Sequence, residues 1–345
     1  AGEYAYKLKK PLNLGVLDYT TLERRHRYCR EELRRNRWLA PDLYQAVVAI
    51  TGSESAPRIG GDGPVLEYAV QMRRCPQSSL LSQRADQGAL AVCWLDRLGT
   101  ILAAFHRQAE VVDADSPWGS PAHVRQWAED NLATLRCCLT DSPLLEPLEE
   151  LAAWSDAELT RQESLIMARK RDGWIRQCHG DLHLNNVVVL EDRPVPFDAI
   201  EFNPELSAID VLNELAFLMM DLDERGYRGL GFRCLDRYLA ASAHSGGVAV
   251  IPFYAAYRAL GRAKVAALDL RETTDETERG ALLEQCSDYL AAARHWSTPS
   301  TPLLVITHGP AGSGKSTLAE RLLETLEAVR FRSDVVRREL YNLAP

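Results

Sequence analysis

Cys178-His179-Gly180-Asp181-Leu182-His183-Leu184-Asn185-Asn186, with the later Phe197-Asp198-Ala199-Ile200-Glu201, decides how this chain is read. Between the two stretches lie Val187-Val188-Val189-Leu190 and Val195-Pro196-Phe197, set around the polar turn Glu191-Asp192-Arg193. Short β-branched runs bounded by a polar turn predict a hairpin. Its open end would bring Asn186 and Asp198 together at one end of a cleft. An amide oxygen and a carboxylate suit Mg²⁺, which takes few protein ligands and completes its shell with water and phosphate oxygens. Asp181 would accept or orient the proton of an acceptor hydroxyl. Phosphoryl transfer asks for little more than an aligned acceptor and cations on the phosphates.

The spacing of His179, Asp181 and Asn186 resembles the H-R-D-x-x-x-x-N loop of protein kinases, and Asp198 resembles the metal-binding Asp of D-F-G. Gly180 replaces the kinase Arg, and His183 follows two residues after Asp181. This His-Gly-Asp-x-His form resembles the aminoglycoside phosphotransferase family, the small-molecule branch of the protein-kinase-like fold. The competing reading, an acidic turn with a satisfied histidine, does not explain three ligands at this spacing across a hairpin. His183 reads as a structural hydrogen-bonding residue rather than a proton shuttle. His179 and Glu201 are further site candidates.

Working outward, Tyr4-Ala5-Tyr6-Lys7-Leu8-Lys9 has strand periodicity. The resemblance implies that Lys7 is the phosphate-binding lysine, with Lys9 on the same face as its competitor. It also implies glycine-rich strands before this lysine, expected to lie outside the sequence given. Thr20-x-x-Glu23 reads as a capping box that opens a helix to about Trp38. On that helix Glu32 is the first candidate to pair with the lysine and Glu31 the second. Ala46–Ile50 and Val65–Val70 read as paired strands around a loop from Ser53 to Pro64. By position, Glu67 to Met72 is the expected hinge contacting adenine.

Ser82 to Arg171 is predicted helical, as is Ser207 to Leu222. Asp210 starts the latter, and the resemblance implies that it accepts hydrogen bonds from the catalytic-loop backbone. Pro252 opens a helix carrying Tyr254, Tyr257, Arg258, Arg262 and Lys264, read as a surface helix with snorkelling arginines.

A second motif stands near the carboxyl terminus. Leu303–Thr307 reads as a buried strand, followed by Gly309-Pro310-Ala311-Gly312-Ser313-Gly314-Lys315-Ser316-Thr317 and a helix with Leu318, Leu322 and Leu326 on one stripe. This is a G-x-x-x-x-G-K-S phosphate loop in strand–loop–helix context. Gly309, Gly312 and Gly314 would shape it. Lys315 would meet phosphates, and Ser316 would ligate Mg²⁺ with Thr317 beside it. Val329–Arg332 reads as the next strand, and Asp334 as an acceptor-contact candidate.

The 345 residues are 46% hydrophobic and 26% charged, which is globular composition. A net charge of -8 disfavours a nucleic-acid partner. The 8 cysteines form no C-x-x-C pair, and no apolar run is long enough to span a membrane, so a cytoplasmic protein is expected.

Taken whole, the chain resembles a bacterial two-domain family that joins an aminoglycoside phosphotransferase-like domain to a P-loop (AAA/zeta-toxin-like) ATP-binding domain. The resemblance implies an α+β, bilobal protein-kinase-like fold over 1–296. Its small β-rich N-lobe would cover about 1–76 and its largely helical C-lobe about 77–296. A linker at 297–302 and the start of an α/β P-loop domain at 303–345 would follow. It implies an ATP- and Mg²⁺-dependent phosphotransferase acting on a small-molecule hydroxyl. The alternative is a nucleotide-binding regulator or pseudokinase. A protein kinase is disfavoured, since no A-P-E segment follows Asp198.

Overall fold

Alternating aromatic, β-branched and basic residues build the first part of the fold. The structure is a computed structural model that describes residues 2–341, except 14–16, 141, 243, 300, 311 and the side chains of 338 and 339. The fold is α+β, and the chain divides into two compact units, 1–90 with 177–208, and 91–176 with 209–345.

In the first unit, β1 (Tyr4–Leu8), α1 (Leu22–Asn36), β2 (Tyr44–Ser53), β3 (Ala56–Ile59), β4 (Val65–Arg73) and α2 (Leu81–Asp86) come first. The segment 177–208, with β6 (Val187–Leu190) and β7 (Arg193–Pro196), completes it, and the paired strands β5 (Ile175–Gln177) and β8 (Ala208–Asp210) straddle its two ends. Four strands pair antiparallel in the order β1-β4-β2-β3, with Lys7 opposite Val70 and Val70 opposite Val47. β4 is therefore central, and Glu67–Met72, the expected hinge, lies inside the ladder. The chain leaves the sheet only after Arg73. The expected loop from Ser53 to Pro64 contains β3, an exposed edge strand paired with the end of β2. Its polar, glycine-flanked composition hides it, because an edge strand with no buried face shows no alternation.

α1 is capped one residue later than expected. The Thr21 side chain accepts from the Arg24 N–H at 3.3 Å, while Thr20 turns to Asp18. Cys29 of α1, Tyr44 of β2, Val70 of β4 and Val188 and Val195 of the β6–β7 hairpin share one core. The hairpin turn has left-handed backbone at both Glu191 (φ 50°) and Asp192 (φ 61°), the twist-matched form for a two-residue connection. The predicted hairpin is thus formed, and its apolar side chains pack the 178–201 segment against α1 and the sheet.

The second unit is helical: α3 (Val92–Gln108), α4 (Pro121–Cys138), α5 (Leu145–Arg171), α6 (Val211–Glu224), α7 (Arg228–Ser242), α8 (Ile251–Glu272), α9 (Glu276–Ser297), α10 (Lys315–Thr325) and α11 (Ser333–Leu340). α8, expected at the surface, is a core helix. Phe253, Tyr254, Leu260 and six alanines are buried along it, and it packs on α4, α6 and α9. The alanines let neighbouring backbones approach, and the arginines occupy only its remaining strip. Gly99 of α3 serves the same end, since a Cβ there would lie 2.4 Å from the Cys234 carbonyl oxygen of α7.

The carboxyl-terminal segment departs furthest from expectation. Residues 303–307 and 329–332 form no strands, and Leu303, Leu304 and Ile306 are exposed. Among the described residues no strand lies alongside to complete a ladder, and a lone β-type run has no use for its backbone groups. α10 does form, but Leu323 is its buried residue, while Leu318 and Leu326 are exposed. Its orientation is set by α7. Glu324 passes over Gly229, where a Cβ would lie 2.5 Å from the Glu324 carbonyl oxygen. Arg237–Glu320 at 3.1 Å, Arg228–Glu327 at 2.6 Å and Arg330–Asp236 at 2.6 Å flank that contact, and Arg233 pairs with Glu324. Among the described residues no helix is long and apolar enough to cross a membrane, and all 8 cysteines are free.

Candidate active site

Every side chain of the kinase-type constellation lies in the first unit. β1 presents Lys7, and the chain just after it Lys9, toward α1, where Glu32 is fully buried between them. Glu32 Oε1 lies 2.9 Å from Lys7 Nζ, and Oε2 takes Lys9. The two lysines then diverge. Lys9 is buried and also pairs with Glu201, whose Oε1 accepts the Tyr19 hydroxyl at 2.5 Å. Lys7 keeps 38% of its side chain exposed and pairs with Asp198. Burial alone would lower the Lys7 pKa, but Glu32 and Asp198 outweigh it and hold the group above the ordinary lysine range. The geometry therefore separates the two candidates, with Lys7 as the accessible cation and Lys9 as part of the buried support. Glu31 pairs with Arg34 on the outer face, so Glu32 is the carboxylate that meets the lysines.

The 178–186 loop is held by its own polar groups. His179 Nε2 lies 2.8 Å from the Phe197 carbonyl, and His179 Nδ1 accepts the Asp181 N–H at 3.3 Å. One nitrogen donates and the other accepts, so this hydrogen-bond pattern assigns a neutral ring protonated on Nε2. Gly180 has φ 88°, and a Cβ there would lie 3.1 Å from the Leu206 carbonyl oxygen. A side chain where kinases carry Arg would meet that backbone. Asn186 Nδ2 donates to both the carbonyl and the carboxylate of Asp181 at 2.9 Å. His183 Nε2 stands 3.4 Å from the same carboxylate and from Asn186.

Asp198 follows the hairpin in left-handed backbone, φ 66°. Its N–H donates to the Tyr44 hydroxyl at 3.2 Å, and the next N–H, of Ala199, donates to Asn36 Oδ1 at 2.9 Å. The Asn36 amide also bonds the Glu32 carbonyl at 2.9 Å. Burial, with Glu32 and Asp198 nearby, pushes the Tyr44 hydroxyl pKa well up, so it stays a neutral partner. Tyr19, Asn36 and Tyr44 escape sequence reasoning. Each is a common residue type whose partner lies far along the chain. The only local cue is Asn36, an amide one α-turn after Glu32.

The donor set fits a hard divalent cation. The Asn186 NH₂ is engaged, and among the described residues no hydrogen bond is recorded to its Oδ1. Asp198 uses Oδ1 for Lys7, and none is recorded to its Oδ2. One amide oxygen and one carboxylate oxygen remain, with hard-donor chemistry that suits Mg²⁺.

The remaining predicted residues lie in the second unit. Asp210 caps α6 by accepting the Leu212 N–H at 2.8 Å and takes Arg169 in a buried two-pronged pair at 2.6 and 2.7 Å. Its carboxylate is thus committed to Arg169, in place of the expected catalytic-loop amides. Gly314 (φ 79°) precedes α10, and Gly309 (φ 152°) and Gly312 (φ 78°) shape the loop before it. Lys315 Nζ folds onto the Gly309 and Pro310 carbonyls at 2.7 and 2.6 Å, and Ser316 and Thr317 are exposed on the first turn. Asp334 pairs with Arg332 at 2.8 Å.

A family model described as the phosphotransferase enzyme family matches residues 18–198, just over half of the chain. The chain belongs to this phosphotransferase family. A second model, described as an AAA domain, matches residues 304–345. Relatives of this chain include proteins of Mycobacterium tuberculosis and Mycobacterium bovis, both named only as uncharacterized. Each is 31% identical over 343 residues, 99% of this chain and 66% of the relative. The chain thus spans about two thirds of the length of those relatives. Among solved structures it is similar to a choline kinase from Cryptosporidium parvum, with TM-score 0.45 and 11% identity over 77% of this chain and 78% of that one. A Plasmodium vivax ethanolamine kinase gives TM-score 0.47 and 9% identity over 83% and 75%.

Proposed function

We propose that the first unit transfers the γ-phosphoryl group of ATP to a hydroxyl of a small molecule. The observation that carries this reading is a division of exposure among charged groups. Lys7, Asp198 and Asp181 keep 38%, 37% and 39% of their side chains exposed, while Glu32, Lys9 and Glu201 beneath them are buried. A salt-bridge network serving stability alone has no need to present one cation and two carboxylates to solvent.

The roles follow from placement. Lys7, oriented by Glu32, meets phosphate oxygens. Asn186 Oδ1 and Asp198 would hold Mg²⁺, which supplies charge neutralisation on the phosphates. Asp181, fixed by the Asn186 amide, orients the acceptor hydroxyl and takes its proton as the P–O bond to the acceptor forms. We assign a second ATP site to the loop around Lys315, supported by Gly314 and Lys315 at the amino terminus of α10. The free thiols suit a reducing, ATP-rich cytoplasm.

The test is ADP release by the full chain across a panel of hydroxyl-bearing small molecules. Acceptor-dependent release that Asp181→Ala lowers by about 10²–10⁴-fold and Lys315→Ala leaves in place supports the proposal. Nucleotide binding without turnover on any acceptor would instead support a regulator.

A further inference from the structure

α1 carries a second chemical feature on the side turned away from Glu32. Arg27, Arg30, Arg34 and Arg37 recur at i, i+3, i+7 and i+10, one stripe of a helix. At about 1.5 Å per residue the stripe is about 15 Å long. Glu32 sits about 200° around the helix from Arg30, so the stripe is not part of the lysine network. The four arginines line a groove of about 850 Å³, closed on its other side by Phe202 and Pro204.

The charge in this groove is poorly balanced. Helix faces gain from acids set against bases at i, i+4, whereas this face carries four arginines against Glu23, whose carboxylate is taken up by Thr21 and its own backbone N–H. Glu31 answers Arg34, and Glu201, at the groove edge, is already committed to Lys9 and Tyr19. Arg27 reaches only the Tyr28 hydroxyl, at 2.9 Å, and Arg37 only the Gln45 carbonyl, at 2.5 Å. Among the described residues neither these two nor Arg30 has a carboxylate partner. In a chain of net charge -8 such a concentration of unanswered guanidinium groups is out of keeping with the rest.

We propose that this groove binds a small organic phosphate carrying at least two phosphoryl groups. Guanidinium forks match phosphate oxygens two at a time, and neighbouring arginines one turn apart can take successive phosphoryl groups. Tyr28, Phe202 and Pro204 offer an aromatic and apolar wall for the organic part. The groove volume is that of a small-molecule site. The ligand sits on the helix that holds Glu32 against Lys7, so its occupancy steadies α1 and with it the phosphate-binding lysine.

The probe is inorganic pyrophosphate, titrated calorimetrically into the full chain in metal-free buffer. Saturable binding is expected that persists in the Lys315→Ala chain and is weakened there about tenfold or more by Arg27→Gln with Arg30→Gln. Both replaced arginines are exposed, so the double variant should keep the wild-type melting curve, which is checked alongside. Unchanged affinity in the double variant, loss confined to Lys315→Ala, no saturable binding, or citrate binding as well as pyrophosphate would each overturn the proposal.

Discussion

The backbone N–H of Asp198 donates to the hydroxyl of Tyr44 at 3.2 Å, across 154 residues of sequence. The contact fixes the left-handed turn that aims the Asp198 carboxylate, and the same hydroxyl stands 3.4 Å from Glu32. Tyr44→Phe removes the acceptor and leaves an N–H without its partner. We expect a loss of about 1–3 kcal/mol in denaturant unfolding. kcat should fall about tenfold, because the carboxylate is no longer held in place.

Glu32 is the shared anion of two lysines and is fully buried. Glu32→Gln leaves Lys9 a single carboxylate in a dry setting, and about 3–5 kcal/mol of stability should be lost. Glu31→Gln is the control. Its partner Arg34 lies on the outer face, so the change should stay within about 0.5 kcal/mol. Equal effects from the two substitutions would place the organising carboxylate elsewhere.

Lys7 supplies a pH prediction. Although burial opposes it, the carboxylates of Glu32 and Asp198 raise its folded pKa above the ordinary 10.5. A cation with a raised folded pKa gives stability that is complete below its unfolded pKa and is lost as pH climbs through the folded value. Stability should therefore fall above pH 10.5, and Lys7→Met should flatten that decline. Thermal melts at a series of alkaline pH values measure both slopes.

Charged contacts fasten α10 to α7, with Leu323 the one buried apolar side chain of α10. Partly exposed ion pairs weaken as salt screens them. Glu320→Gln with Glu324→Gln should raise hydrogen exchange in 315–325 while leaving α3 and α7 protected, and high salt should produce the same pattern in the wild-type chain. Slow exchange in α10 under both conditions would mean that the helix is held by something other than these pairs.

What was legible in the sequence was local. The His179–Asn186 loop and the β6–β7 hairpin depend on short spacings, which a linear reading can see, whereas Glu32 opposite Lys7 follows from the kinase resemblance and not from spacing. Tyr19, Asn36 and Tyr44 were not legible, because hydroxyl and amide partners in distant segments leave no periodic trace. α8 was misread because its alanines are neutral to a hydrophobic count yet decide how closely helices pack. The 303–307 run was misread because β propensity is expressed only when a neighbouring strand exists.

Asp198 and Asn186, together with Lys7, are the residues proposed to hold the metal–triphosphate. The direct measurement is calorimetric titration of Mg·ATP into the full chain carrying Lys315→Ala, with and without Asp198→Asn. One remaining site is expected, whose affinity Asp198→Asn weakens about tenfold or more, with the deficit shrinking when Mg²⁺ is withheld from both chains. Mg·ATP affinity indifferent to Asp198→Asn would contradict that assignment.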